Sequence, residues 1–168
     1  MDDLKQRLPD HARDLRINLG VITSSTALTP EQAWQIALAS AISSRNSETV
    51  RAVEAAAALD DTQRTAARGA AAIMGMNNVY YRFVHMMGDA SEYGAMPARL
   101  RMQIIGNPGV ARLDFELACL ASSAITGCEA CVRSHEESAR KNGATREMVQ
   151  DAVRIAAVIH GVAVALPV

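Results

Sequence analysis

The sequence predicts an all-α protein, and three observations carry that expectation. Alanine, the strongest helix former, recurs in runs such as Ala55-Ala56-Ala57-Ala58 and Ala70-Ala71-Ala72, and its small side chain lets packed helices approach closely. Strand signals are almost absent: β-branched residues rarely alternate with polar ones, and aromatic residues make up only 4% of the chain. Helix start and stop signals recur at helix-length intervals along the whole chain. With 168 residues, 1–168 reads as one domain that can bury a core without covalent staples.

The elements follow in order. Leu4 to Leu19 reads as a short helix and extension, with Pro9 near the start of its main helical part. Thr29-Pro30-Glu31-Gln32 is a helix start, with Thr as N-cap, Pro in the first turn and Gln three residues after the cap. That helix should reach about Ser44. A second should run from Asn46 or Ser47 to about Leu59, and a third, capped by Asp61 or Thr62, to about Arg82. Gly88 to Met96 reads as a loop, and Pro108-Gly109 as a turn. A further helix spans Leu113 to Thr126 and breaks at Gly127; the next covers Cys128 to Lys141 and closes at Asn142-Gly143. Thr145 caps the last helix, which should extend to about Ala165.

Two halves of the chain echo one another. Leu38-Ala39-Ser40-Ala41-Ile42 resembles Leu120-Ala121-Ser122-Ser123-Ala124, and Arg68 to Gly75 resembles Arg154 to Gly161. The expected units are a structural repeat at about 29–87 and a catalytic repeat at about 111–167. At the shared offset Cys128 falls opposite Asn46, Cys131 opposite Thr49, His135 opposite Val53 and Glu116 opposite Trp34. The chemistry-bearing set therefore occurs in one copy only.

Charge excludes several function classes. The 17 basic and 18 acidic residues are scattered and leave a net charge of −1, so no basic stripe points to nucleic acid or an anionic membrane. Each apolar run is interrupted by charges or turn residues before transmembrane length, and Met1-Asp2-Asp3-Leu4-Lys5 lacks the layout of a signal peptide. A cytoplasmic protein is the expectation, and in a reducing compartment a CxxC is more often catalytic than structural.

The most informative stretch is Cys128-Glu129-Ala130-Cys131-Val132-Arg133-Ser134-His135. On a helix the two thiols and the imidazole project at roughly 0°, −60° and −20°, along one stripe. Two thiols and a His make the minimum kit for reversible dithiol chemistry. A structural zinc site would need a fourth ligand, for which only Cys119, in an apolar run, and the distant His160 are available. A pair of buried, inert cysteines is the other alternative. Cys128, after Gly127, should sit in the first helical turn, where unpaired N–H groups favour a thiolate. His135 lies four residues after Cys131 and can hold its proton directly or through a water. Glu116 lies in a run otherwise headed for the core, so it needs a partner or a raised pKa and can face back toward the thiols. Glu129, Glu136 and Glu137 read as solvated charges, Cys119 as a small core residue, and Met74, Met76, Met86 and Met87 as helix-packing filler or an apolar floor.

The stretch from Phe115-Glu116-Leu117 through Gly127-Cys128-Glu129-Ala130-Cys131 to Ser134-His135-Glu136 resembles the signature of the alkylhydroperoxidase D family, within the carboxymuconolactone-decarboxylase-like superfamily. Its pattern is Glu, eleven residues, CxxC, three residues, His. Gly69 to Arg82, Leu100 to Gly109 and Leu15-Arg16-Ile17-Asn18-Leu19 extend the resemblance over nearly the whole chain. One position departs from it: Ala130 stands where relatives often carry a His. The resemblance implies an all-helical fold of two related halves and a homo-oligomer, expected to be a trimer. It implies an antioxidant, thiol-dependent hydroperoxide reductase with no tightly bound cofactor and no metal. Dihydrolipoamide on a dehydrogenase E2 component would be the reductant, and a peroxiredoxin, the C subunit of alkyl hydroperoxide reductase, would receive electrons. Carried over by motif position, Cys131 is the attacking thiol that forms the sulfenic acid, Cys128 donates a proton and resolves it to a disulfide, and Glu116 and His135 form the proton relay. Two other functions stand beside this one: a non-catalytic redox sensor, and a cofactor-free lactone decarboxylase, for which a dithiol would be unnecessary.

Overall fold

The computed structural model describes residues 1–88 and 92–166. Ten α-helices follow one another among the described residues: α1 (Asp2–Arg7), α2 (Arg13–Asn18), α3 (Val21–Ser24), α4 (Pro30–Ser43), α5 (Ser47–Ala56), α6 (Asp61–Met86), α7 (Gln103–Gly106), α8 (Arg112–Thr126), α9 (Glu129–Lys141) and α10 (Arg146–Ala165). The same residues contain no strand, as the alanine runs and missing alternation predict.

Side-chain caps set most of the long boundaries. Thr29 and Gln32 form the expected capping box: Gln32 N–H donates to Thr29 Oγ1 at 3.2 Å and Thr29 N–H to Gln32 Oε1 at 3.0 Å. Gln32 Nε2 also donates to Asp114 Oδ1 at 2.7 Å, tying the start of α4 to the start of α8. Asn46 caps α5 by accepting from Glu48 and Thr49 N–H. Thr145 caps α10 by accepting from Met148 N–H at 3.2 Å.

Several expected bounds need correction. α6 is capped by Asp60, not Asp61 or Thr62; Gln63 N–H donates to its Oδ1 at 2.7 Å and Gln63 Oε1 completes a second capping box. It runs on to Met86, four residues past Arg82, because Phe83-Val84-His85-Met86 contains no helix breaker. α5 stops at Ala56, short of Leu59, where Arg64 reaches back to the carbonyls of Glu54, Ala57 and Leu59. Leu4 to Leu19 divides at Leu8-Pro9 into α1, a 3₁₀ turn over Asp10–Ala12, and α2. Within the expected loop Gly88 to Met96, Glu92–Ala95 forms a 3₁₀ turn, and 89–91 lie outside the described residues.

α4 and α8 form the centre. α8 packs against α4, α6, α9 and α10, and α4 against α5, α6, α8 and α10. Every residue from Phe115 to Ser123 is buried, so α8 is enclosed on all faces. Small residues permit this: Ala33, Ala37 and Ala41 of α4, Ala66, Ala67 and Ala70 of α6, and Ala118 and Ala121 of α8 are all buried. Phe115, Leu117, Leu120, Ile36, Met74, Ile155 and Ile159 fill the space between them. Gly69 serves the same purpose between α6 and α7, since a Cβ there would lie 2.3 Å from Ile104 Cδ1.

Asp151 and Arg154 interrupt the apolar run of α10, as expected, yet this helix comes near transmembrane character. By length and composition, Arg146–Ala165 is long and apolar enough to span a membrane, although half of it is buried in the fold. Its inner face carries Ala152, Ile155, Ile159 and Val162, and Ser25 Oγ donates to its Asp151 at 2.6 Å. These are the features of a core helix. Of the methionines expected to fill between helices, Met74 is buried and Met76 half-buried, whereas Met86 and Met87 are exposed.

Candidate active site

The site is built where α8 gives way to α9. Gly127 takes φ 70°, the left-handed conformation that ends a helix with least strain when there is no Cβ. Its N–H donates to Ala124 C=O and the N–H of Cys128 to Ser123 C=O, the pair of bonds that defines a Schellman turn. A polar network holds this turn against α6. Asn78 Nδ2 donates to Thr126 Oγ1 at 2.6 Å, Ser123 Oγ donates to Asn78 Oδ1 at 3.1 Å, and Arg82 Nη1 donates to Thr126 C=O at 2.6 Å.

Cys128 is therefore held before α9 begins, which corrects its expected placement in the first helical turn. Its backbone is extended, and its sulfur caps α9 by accepting from Cys131 N–H at 3.4 Å. Cys131 and His135 share the helix stripe; Cys128 reaches the pair from the cap position. The Cα atoms of Cys128 and Cys131 are 5.3 Å apart and the two sulfurs are joined as a disulfide. Cys128 is wholly buried, whereas Cys131 lines a cavity of about 280 Å³.

His135 is not hydrogen-bonded to either cysteine. Its Nδ1 lies 2.5 Å from Glu116 Oε2, and Arg112 Nη2 lies 2.7 Å from Glu116 Oε1. Glu116 is 1% exposed, so it has the partner that the sequence demands of a core carboxylate. Burial by itself would raise its pKa. The hydrogen bond and charge of His135, the charge of Arg112 and a hydrogen bond to Ser138 outweigh that and hold the carboxyl below its ordinary value. Cys119 lies on the other side of this balance: burial and the nearby Glu116 carboxylate push its thiol well up, against a smaller opposing effect of Arg112. It is a core residue with no access to the cavity.

Cys131, Glu116 and His135 thus open on one cavity, to which α9 also contributes Ala130, Ser134 and Ser138. Its other walls escape the sequence reading. Asn77 and Tyr81 come from α6, Met102 and Ile105 from the segment around α7, and Arg112 from the start of α8. Only Arg112 had a local signal, since it stands four residues before Glu116 on the same helix face. It also donates to Ile105 C=O, fastening the cavity wall to α8. The remaining candidates lie apart: His85 pairs with Glu129 at 3.3 Å on the surface, His160 with Ser44 at 3.1 Å, and Glu137 with Lys141 at 2.6 Å. Among the described residues, no group of three or more His, Cys, Asp or Glu is placed to hold a metal ion.

With this geometry in place, comparison with known proteins is direct. Residues 91–167 match the Carboxymuconolactone decarboxylase family. A protein of Rhodospirillum centenum named alkyl hydroperoxide reductase AhpD is 53% identical, over 99% of this chain and 90% of its own. Proteins of the same name from Gluconacetobacter diazotrophicus and Brucella anthropi are 52% and 51% identical, over 99% of this chain and 92% and 95% of theirs. Similarity of this extent assigns the family: the chain belongs to the alkyl hydroperoxide reductase AhpD family.

Proposed function

We propose that this protein is an antioxidant hydroperoxide reductase whose redox centre is the dithiol Cys128 and Cys131, reduced by dihydrolipoamide and able to pass electrons to a peroxiredoxin. The observation that carries the reading is the asymmetry of the pair: Cys131 opens on the cavity beside the Glu116–His135 pair, and Cys128 lies sealed within bonding distance behind it.

In this scheme the Cys131 thiolate attacks the terminal oxygen of R–O–O–H. An S–O bond forms, the O–O bond breaks, and the alkoxide takes a proton to leave as R–OH. Cys128 then attacks the sulfenic sulfur, and the disulfide forms with loss of water. Two thiols of dihydrolipoamide restore the dithiol through a mixed disulfide at Cys131, the sulfur that an incoming thiol can reach. Glu116 and His135 form the proton relay. Because His135 bonds to Glu116 and not to a cysteine, the proton reaches a sulfur only after the imidazole turns or a water bridges the cavity.

The reading extends to assembly and location. We place the protein in the cytoplasm as a homotrimer, working with a peroxiredoxin and a lipoylated E2 component. Exposed Val79, Phe83 and Met86 on α6, with Tyr93 and Met96 nearby in sequence, support the oligomer, since apolar side chains left in water favour association. We also propose that 29–87 is a structural repeat of the catalytic unit 111–167. A redox sensor or a cofactor-free decarboxylase would not consume peroxide catalytically. The test is NADH oxidation with lipoamide, its dehydrogenase and tert-butyl hydroperoxide: sustained turnover supports the reductase, and a single stoichiometric oxidation supports the sensor.

A further inference from the structure

α6 carries two adjacent asparagines with opposite fates. Asn78 uses both ends of its amide, donating to Thr126 and accepting from Ser123, and so secures the turn before Cys128. Asn77 is 4% exposed, and its buried Oδ1 has no hydrogen-bond partner among the described residues. It lines the cavity that Cys131 lines, one helical turn from Tyr81, which lines it too. A buried carboxamide carrying an unused acceptor is costly unless something fills it, and native interiors satisfy such groups almost always.

We propose that Asn77 binds the hydroperoxide group of the substrate over Cys131, an inference that rests on the hydroperoxide-reductase reading above. The chemistry of the two groups matches. A hydroperoxide offers one O–H donor and an adjacent inner oxygen that accepts; a carboxamide offers an acceptor oxygen beside N–H donors. Once the carboxamide turns its Oδ1 to the cavity, the terminal O–H donates to Asn77 Oδ1 and the inner oxygen falls toward Asn77 Nδ2. As Cys131 sulfur bonds to the terminal oxygen, the O–O pair of electrons moves to the inner oxygen. That nascent alkoxide is stabilised by the N–H donor until it takes a proton from the Glu116–His135 pair and leaves as the alcohol. Sulfur is oxidised by two electrons and the peroxide is reduced by two. The organic group then lies along Met102 and Ile105, which makes an alkyl hydroperoxide the fitting substrate class.

The test compares two reactions of the reduced full-length protein. One is oxidation of Cys131 by tert-butyl hydroperoxide, followed as thiol loss by quenched-flow and mass spectrometry. The other is alkylation of Cys131 by iodoacetamide, which reads the thiolate without a peroxide. Asn77→Leu, nearly the same size without the amide, should slow oxidation about 10²-fold, the range for loss of one donor to a developing oxyanion, and leave alkylation unchanged. Asn77→Ala should do the same. Oxidation at the wild-type rate in either variant overturns the inference, as does an equal loss in both reactions, which would make Asn77 a tuner of the thiol. Loss of helical signal in both variants would assign Asn77 to packing and overturn it too. Wild-type protein that reacts with the peroxide no faster than a free thiol would defeat the reductase reading itself, a result distinct from fast oxidation in the variants.

Discussion

Glu116 and His135 share one 2.5 Å contact, yet breaking it from either side should have unequal consequences. Glu116→Gln removes the charge, keeps a side chain that can still bond to the His135 ring, and leaves an Arg112 whose side chain is 38% exposed. Both survivors are cheaply accommodated, so a cost of about 1 kcal/mol is expected, that of one hydrogen bond. His135→Phe leaves the carboxylate in place at 1% exposure with Arg112 as its remaining charged partner. Removing one partner of a buried pair costs about 3–5 kcal/mol, and the exposure of Arg112 and the adjoining cavity lower that to about 3 kcal/mol. For a chain of this length each kcal/mol shifts Tm by about 2–4 °C, so His135→Phe should fall about 6–12 °C and Glu116→Gln about 2–4 °C.

The sign of the pH dependence follows from the depressed carboxyl of Glu116. A group whose folded pKa lies below its ordinary value of 4.5 contributes stability that is present above that value. The contribution is lost as pH falls through the folded pKa. In His135→Phe the carboxyl keeps its burial but loses the His135 contacts that lower its pKa, whereas Glu116→Gln has no carboxyl to titrate. The gap between the two variants should be full at neutral pH and close in acid, as protonation of Glu116 in His135→Phe removes the poorly paired charge. Calorimetry across that range measures it. Glu116→Gln as damaging as His135→Phe at neutral pH, or a gap that persists in acid, would refute the reasoning.

Other consequences are simpler. Non-reducing peptide mapping after peroxide treatment should show Cys128 linked to Cys131 within one chain; a Cys119–Cys131 bond would contradict the burial of Cys119. Gly127→Ala should cost about 1–2 kcal/mol by forcing a Cβ into the left-handed conformation at φ 70°, and should slow turnover by loosening the placement of Cys128. Protein prepared in chelator should keep its peroxidase activity, and stoichiometric zinc on Cys128, Cys131 and His135 would overturn that expectation.

Local chemistry made much of this site legible. CxxC and His at helical spacing marked Cys128, Cys131 and His135, and the misfit of an acid in an apolar run marked Glu116. The helix caps at Thr29, Asn46 and Thr145 were equally local. What was missed comes from afar. Asn77, Tyr81, Met102 and Ile105 share a cavity with Cys131 because α6 packs against α8 and α9 and also against α7, and no spacing in the sequence encodes that approach. The placement of Cys128 was misread because the Schellman turn at Gly127 displaces it to the cap, a consequence of Gly127 geometry that a helical wheel leaves out. The direct hydrogen-bond partner of His135 was not legible for a related reason. His135 is four residues from Cys131, but the carboxylate on the neighbouring helix is the stronger partner.

The central claim is that the cavity-facing sulfur attacks and the sealed one resolves. It is tested most directly in Cys128→Ser protein given one equivalent of tert-butyl hydroperoxide in the presence of dimedone. Mass spectrometry of the digested chain should find the dimedone adduct on Cys131, with no turnover under lipoamide. An adduct on Cys119, or an unmodified Cys131 with peroxide still consumed, would contradict it.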